Sequence, residues 1–238
     1  GKNKLEPTVL FEDKSLLVVD KPSGWVVNNA ETTGQTPTVQ NWIEKQGIVK
    51  SKPDIESEFV KRAGIVHRLD KETSGVLIVA KTPGVFEKLQ EQFKKREVDK
   101  TYLALVHGHP KEASGEISAA VGRLPWRRER FGILAGGRSA LTLFKVVKLL
   151  EREGEKLALL ALLPKTGRTH QIRIHLNSIR HPVVGDNLYG VKKNGIKINR
   201  LFLHAYRLEF LTPSGKKLLV EADLPPELEN ILMGLPHT

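Results

Sequence analysis

Short runs of strand-forming residues, joined by short turns, constrain the fold of this chain more than any other feature of its sequence. Residues 9–11 and 16–19 are apolar and flank four turn-forming residues, which predicts an antiparallel hairpin. Residues 201–211 and 217–222 flank a Thr-Pro-Ser-Gly turn and predict a second one. Regular alternation of strands and helices is missing from the sequence. We therefore expect an α/β chain of the α+β type, a single domain in which helices and loops flank a central, largely antiparallel mixed sheet.

A charged segment lies between two apolar runs within residues 64–80. Residues 76–80 are mostly β-branched and are bounded by a glycine and a Thr-Pro pair, so they predict a buried strand. Asp70 then lies in a loop that enters a core strand, directly after His67, Arg68 and a leucine. A carboxylate held beside rigid scaffold can act as a nucleophile or a base. Because Asp, Thr, Ser and Gly are also turn formers, a purely structural turn is the alternative.

The charge of the chain predicts a polyanionic partner. Its net charge is +11 over 238 residues, and between residues 165 and 208 nine Lys or Arg accompany one acid, Asp186. Clustered cations gain affinity by releasing counterions from phosphates. An anionic membrane would require a basic amphipathic helix with exposed bulky apolar residues, and none is evident. We therefore expect nucleic acid as the partner and no membrane.

The absence of cysteine excludes disulfides and thiolate metal sites and is typical of a reducing compartment. No apolar run approaches the roughly 20 residues that span a bilayer, and the first residues lack the apolar core of a signal peptide. We expect a cytoplasmic protein. His170 and His175 are five residues apart, not the four that place two ligands on one helix face, so we expect no metal site.

Two helices and a strand are predicted around further candidate residues. One helix begins at Thr82-Pro83, with an apolar stripe that we assign to the core. A second helix begins near Thr169, which can cap it, and carries Arg173 one residue round from its apolar face. Residues 100–108 predict a strand with Tyr102 near its entry, where a packed strand tyrosine is the plain interpretation. The stripe of the first helix consists of Phe86, Leu89 and Phe93.

Two basic segments are candidates for contact with phosphates. In the first, Trp126 stands beside Arg127, Arg128 and Arg130, a group that could stack a base and bind phosphates. In the second, residues 192–200 contain Lys192 and Lys193 but no acid, and their Gly and Asn residues predict an exposed loop. A solvated charged loop is the alternative for both segments.

Residues 67–75 resemble the signature His-Arg-Leu-Asp-x-x-Thr-Ser-Gly of the RluA-type pseudouridine synthases. Residues 166–176 resemble a second strong motif of that family, Thr-Gly-Arg-Thr-His-Gln-Ile-Arg-x-His-Leu. Further matches follow the family's order at residues 21–24, 100–104, 137–146, 181–186 and 203–205. Within residues 137–146, Arg138 and Phe144 stand where the family has Lys and Tyr.

The resemblance implies an enzyme that detaches a uracil from its ribose, rotates it and rejoins it through C5, without cofactor, metal or energy source. By the same resemblance, Asp70 is the catalytic carboxylate, and Tyr102 packs against the uracil and is placed to help move a proton. Arg173 corresponds to the arginine that pairs with the carboxylate, and Arg68 to one that enters the RNA when the uridine flips out. A guanidinium is needed because burial opposes ionisation of a carboxylate. Whether Asp70 attacks the base, attacks the ribose or acts as a base stays open.

The expected partner is RNA, with large-subunit ribosomal RNA favoured over transfer RNA. Many relatives in the family carry a small RNA-binding domain ahead of the core. This chain begins almost at Val9. We therefore expect a monomeric catalytic domain over residues 1–238 that lacks the small RNA-binding domain, either natively or because the chain was trimmed. The residues expected to bind RNA are Arg68, Arg168, His170, Arg127, Arg128, Lys192 and Lys193.

Two other functions compete with this one. Asp70 and Glu72 could form a glycosidase pair, but residues two apart in an extended loop point to opposite sides, and the basic charge suits neutral sugars poorly. A non-catalytic RNA-binding or ribosome-assembly protein would also use the basic surface. The presence of Asp70, Tyr102 and Arg173 favours the enzyme.

Overall fold

The computed structural model describes residues 5–49, 57–191 and 195–236. Its helices are α1 (Val39–Lys45), α2 (Glu58–Lys61), α3 (Pro83–Lys94), α4 (Gln171–Ser178) and α5 (Pro226–Met233), with a 3₁₀ turn at Glu31–Thr33. Its strands are β1 (Thr8–Glu12), β2 (Leu16–Lys21), β3 (Ser74–Ala80), β4 (Asp99–His107), β5 (Ser114–Ser118), β6 (Val121–Leu124), β7 (Arg127–Ile133), β8 (Leu141–Arg152), β9 (Glu155–Pro164), β10 (Leu203–Leu211) and β11 (Lys217–Glu221).

The backbone forms two compact units that interleave along the sequence. The first unit contains residues 1–99 and 205–223, and the second contains residues 100–204 and 224–238. Strand β10 therefore begins in the second unit and continues in the first. The prediction of a single catalytic domain stays a prediction.

The sheet of the first unit has the order β1-β2-β3-β10, with β11 paired to β10. The pairs β1–β2, β2–β3 and β10–β11 are antiparallel. All seven residues of β3 are buried, as expected for an uninterrupted apolar run. Helix α3 packs on this sheet through Phe86 and Leu89, which join Val18, Ile78 and Phe210 in one hydrophobic core.

Within the second unit, strands β4, β9, β8 and β5 lie side by side in that order, and each neighbouring pair is antiparallel. The core of this unit includes Leu105 from β4, Leu160 from β9, Leu176 from α4 and Phe202, which directly precedes β10. Strands β6 and β7 pair only with each other and form a separate two-stranded ribbon. The ribbon covers residues 121–133, a stretch for which the sequence predicted no strand.

The observed elements confirm the α+β class and the largely antiparallel sheet. The two predicted hairpins are β1–β2 and β10–β11. The expected cap of α4 was wrong, because His170 in a left-handed conformation, not Thr169, precedes the helix. Among the described residues, no helix is both long enough and apolar enough to cross a bilayer.

Candidate active site

Asp70 occupies the first position of a tight turn that leads into β3. The N–H of Thr73 donates to the Asp70 carbonyl at 3.1 Å and closes the turn. Thr73 and Ser74 are buried, whereas Asp70 is half-buried. Asp70 thus lies just before a buried strand and stays partly exposed, which suits a residue that must meet a substrate.

A neighbouring loop fixes the two residues that follow Asp70. The N–H of Gly24 donates to the Lys71 carbonyl at 2.8 Å, and the Ser23 hydroxyl donates to the Glu72 carbonyl at 2.8 Å. Both donors belong to the Lys-Pro-Ser-Gly segment, which sequence analysis singled out as a family motif. The segment therefore has a local task in this structure, which is to hold the backbone of the Asp70 turn.

Lys21 joins the same two segments from the interior. Its side chain is fully buried, and its ammonium donates to the carbonyls of Lys71 at 3.1 Å, Trp25 at 2.8 Å and Pro22 at 3.0 Å. A buried ammonium is costly unless its N–H groups are paired. These bonds therefore identify Lys21 as a cross-link between β2 and the Asp70 turn.

His67 and Gly75 of the signature have structural roles. The Nε2 atom of His67 accepts the Ile78 N–H at 2.8 Å, and its ring stacks on Phe93 with centroids 4.6 Å apart. Gly75 has φ +122°, and a Cβ there would lie 2.1 Å from the carbonyl oxygen of Ala205. Only glycine fits such a close approach of two strands. Arg68 is exposed, so it remains available for the RNA contact that the resemblance implies.

Tyr102 lies near the start of β4 in the second unit. It pairs with Leu162 of β9 and is half-buried against the core of that unit. The flanking strands hold its backbone rigidly while part of the side chain stays accessible. Tyr102 thus combines a fixed position with an accessible surface, as a residue that packs against a flipped base requires.

Arg173 of α4 forms a bidentate ion pair with Asp186. Its Nε and Nη2 atoms donate to the two carboxylate oxygens at 2.8 Å each, and the side chains are only 5% and 1% exposed. Burial raises the pKa of the Asp186 carboxyl, but hydrogen bonds and charge from Arg173, with two backbone N–H groups, outweigh burial and hold that pKa below its ordinary value. The expected pairing of Arg173 with Asp70 stays a prediction.

Tyr189 completes the surroundings of Arg173. The guanidinium carbon lies 5.2 Å from the centre of the Tyr189 ring, and the Tyr189 hydroxyl lies 2.8 Å from Nδ1 of His170. Asp186 accepts the backbone N–H of Tyr189 at 3.0 Å. Sequence reasoning assigned no role to Tyr189 or Asp186, although Asp186 was conspicuous as the one acid in a basic segment.

Polar side chains behind α4 fix the start of that helix. Gln171 accepts the Thr166 hydroxyl at 2.6 Å and donates to Thr142 at 3.0 Å. His175 lies 2.8 Å from the same Thr142 hydroxyl and 2.9 Å from the Ala119 carbonyl, and burial lowers the pKa of its imidazole. His175 is thus a neutral structural residue. No cluster of potential metal ligands occurs in residues 5–49, 57–191 and 195–236.

The residues expected to bind RNA differ in their surroundings. Arg127 and Arg128 are exposed on the ribbon. Arg168 is half-buried and its Nε donates to the Ser139 carbonyl at 3.0 Å, while His170 contacts Tyr189. Lys192 and Lys193 lie outside the described residues. The structure therefore brings His170 and Arg173 together around Tyr189 in the second unit, and in the first unit Arg68 lies two residues before the turn that begins at Asp70.

An antiparallel α+β fold with an aspartate on a braced turn and a buried helix arginine is what the resemblance to the pseudouridine synthases, a class of RNA-modifying isomerases, leads us to expect. The sequence model described as RNA pseudouridylate synthase matches residues 15–178. The chain belongs to that family.

Relatives and solved structures agree with this assignment. An uncharacterised RNA pseudouridine synthase of Synechocystis is 37% identical over 95% of this chain and 68% of its own length. The ribosomal large subunit pseudouridine synthase D of Nitrosomonas europaea is 38% identical over 97% of this chain and 66% of its own length. The chain thus spans about two thirds of these relatives. The structure of human RNA pseudouridylate synthase domain containing 1 superposes with a TM-score of 0.72 at 29% identity, covering 94% of this chain and 87% of that one.

Proposed function

We propose that this protein converts a specific uridine of large-subunit ribosomal RNA into pseudouridine. The observation that carries the proposal is the braced turn of Asp70 within a chain of this family. The choice of RNA is supported by relatives named ribosomal large subunit pseudouridine synthase D in three bacteria. Transfer RNA is the second candidate substrate. The protein is proposed to act in the cytoplasm as a monomer.

The reaction moves the ribose from N1 to C5 of the same uracil. The C1′–N1 bond breaks, a C1′–C5 bond forms, the C5 proton leaves and N1 gains a proton, so the atoms balance without a co-reactant. Asp70 is the proposed catalytic carboxylate, and its rigid turn reduces the freedom lost on reaching the reacting geometry. Tyr102 is proposed to pack against the flipped uracil and to assist the proton transfer.

Arg68 and Arg173 have separate proposed tasks. Extruding a base costs a few kcal/mol, and an inserted arginine such as Arg68 can return part of this by stacking. Arg173 is proposed to favour the ionised form of Asp70. Asp186 and Tyr189 already hold the guanidinium of Arg173 in place, so Arg173 would present its positive charge at a fixed position. A fixed charge stabilises an anion better than a mobile charge.

Tritium release from RNA labelled at uridine C5 tests the reaction. The wild-type protein should release tritium, and Asp70→Asn should bind RNA but release none. Glu72→Gln is the matched control, because it removes a carboxylate from the same turn and should keep wild-type release. Loss of release in Glu72→Gln as well would favour a carboxylate pair. No release by the wild type on any RNA would favour a binding protein.

The target is tested by mapping pseudouridines in RNA from a deletion strain. Loss of one modification in large-subunit ribosomal RNA, restored by the wild-type gene and not by Asp70→Asn, is the expected result. Loss confined to transfer RNA would move the proposal to that substrate.

A further inference from the structure

The ribbon formed by β6 and β7 presents a basic tip to solvent. Pro125 and Trp126 connect the two strands, since Leu124 pairs with Arg127. Trp126 is 72% exposed, which is unusual for so large an apolar side chain. Residues 121–133 contain four arginines and one acid, so the ribbon carries a formal charge of +3.

The base of the ribbon is fixed to the second unit. Val121 exchanges two backbone hydrogen bonds of 2.9 Å with Arg138, and it packs with Ala140 and Ile174 in a small hydrophobic cluster. The N–H of Phe131 donates to the Tyr189 hydroxyl at 3.4 Å. The ribbon is therefore attached to the same Tyr189 that contacts Arg173.

Internal contacts stiffen the ribbon along its length. The Arg123 guanidinium lies 4.7 Å from the centre of the Phe131 ring and also donates to the Arg128 carbonyl. Arg123 is thereby engaged within the ribbon. The cations at the tip are Arg127 and Arg128, both exposed, with Glu129 3.9 Å from Arg127. A stiff projection loses little conformational entropy when it binds a partner.

The combination of an exposed indole and flanking guanidinium groups is suited to unpaired nucleotides. An indole stacks on the face of any base, and it can do so only where the base is not already stacked within a helix. Guanidinium groups next to it can contact the phosphates on either side. An acidic protein would use the charges but would give the indole no comparable partner.

We propose that the ribbon is an RNA-contacting arm in which Trp126 stacks on an unpaired base of the substrate while Arg127 and Arg128 contact neighbouring phosphates. This deepens the proposed function, on which it rests, by assigning the substrate class: RNA that carries an unpaired nucleotide beside the target, such as a stem closed by a loop.

The test compares two synthetic RNAs, a hairpin with an unpaired loop and a blunt duplex with the same stem. Trp126→Ala should weaken binding to the hairpin by about 10- to 100-fold, the range expected for one stacked base, and leave the duplex nearly unaffected. Trp126→Phe, which keeps a ring, should retain most of the affinity. Met233→Ala is the control, because Met233 is an equally exposed apolar residue of the same unit and should change neither affinity.

The arginines are tested by the salt dependence of hairpin binding. The double variant Arg127→Ala, Arg128→Ala should lower the slope of log affinity against log salt by roughly 0.7 to 0.9 for each lost phosphate contact. Lys216→Ala with Lys217→Ala removes the same charge from another exposed hairpin turn and should leave the slope unchanged. Equal slopes in both double variants would overturn the phosphate contacts.

Three results would overturn the stacking contact. The first is an unchanged affinity of Trp126→Ala for the hairpin, and the second is an equal loss of affinity for hairpin and duplex. The third is a loss of affinity for polyglutamate as large as the loss for the hairpin, which would indicate an acidic partner. If the wild type binds the hairpin through Trp126 but releases no tritium from any RNA, the proposed function fails while the arm stands. If it releases tritium and Trp126→Ala binds normally, the arm alone fails.

Discussion

Arg173 and Asp186 hold each other by two parallel hydrogen bonds of 2.8 Å in the interior of the second unit. The guanidinium proposed to support catalysis is therefore itself oriented by a carboxylate that comes from a separate motif. The two family motifs at residues 166–176 and 181–186 are joined by this one contact.

Asp186→Asn should destabilise the protein, because it leaves a buried guanidinium with a neutral partner. We expect a loss of about 3 kcal/mol in the free energy of unfolding, measured by urea denaturation. Glu91→Gln, which alters an exposed ion pair with Lys95, should give no measurable change.

The stabilisation from Asp186 should depend on pH. Since the pKa of Asp186 is lowered on folding, its contribution to the free energy of unfolding is present above the unfolded carboxyl pKa of about 4 and is lost as pH falls further. The variant should lose less stability than wild type in that acidic range.

Tyr102→Phe should separate the ring from the hydroxyl. If the hydroxyl helps to move a proton, turnover should fall by roughly 10²-fold or more while RNA affinity stays near wild type. Tyr206→Phe is the control, because its hydroxyl contacts Glu221 on an exposed strand pair. A wild-type rate in Tyr102→Phe would reduce Tyr102 to a stacking surface.

Lys21→Met should loosen the turn that carries Asp70. The change leaves the buried carbonyl of Trp25 and the partly buried carbonyl of Lys71 without this donor, so we expect a loss of about 1–3 kcal/mol in unfolding free energy. In the protein that remains folded, kcat should fall more than KM rises. Lys71→Met, an exposed change on the same turn, should leave stability intact. Equal stability of the two variants would show that Lys21 does not brace the turn.

His175 should make the protein acid-sensitive. Burial lowers the pKa of its imidazole below 6.5 in the folded state, so the unfolded state binds a proton more readily. Stability is then complete above about pH 6.5 and falls as pH drops toward the folded pKa, by at most about 1.4 kcal/mol per pH unit from this residue. His175→Gln should be less stable at pH 7.5 but show a flatter decline, as measured by urea unfolding at several pH values. Identical slopes would assign the acid sensitivity to other groups.

The sequence predicted those strands and helices whose bounds depend on residues close to one another in the chain. The run at residues 76–80 became the buried core of β3, and Thr82-Pro83 began α3 with Thr82 as its cap. The signature around Asp70 was also readable, because all its members lie within nine consecutive residues. In such cases the residues that determine the structure are neighbours in the sequence.

Contacts between distant segments were not predictable in the same way. Nothing in the periodicity of α4 indicates that Arg173 faces Asp186, because residues 171–176 are all buried and polar and apolar positions are not separated by exposure. The ribbon was missed because its glycines, proline and arginines have the composition of a loop, whereas its strands are stabilised by pairing and by packing on Ile174. The left-handed His170 is likewise maintained by tertiary contacts, here with Tyr189.

The interleaving of the two units has a consequence for synthesis on the ribosome. The sheet of the first unit needs β10, which begins 123 residues after the end of β3, since 203 − 80 = 123. At about 5 to 20 residues per second, the nascent chain carries β3 without β10 on one of its two edges for roughly 6 to 25 seconds. An open edge on a largely apolar strand is a template for pairing between chains. Aggregation during translation should therefore depend on β3, and slower elongation should worsen it.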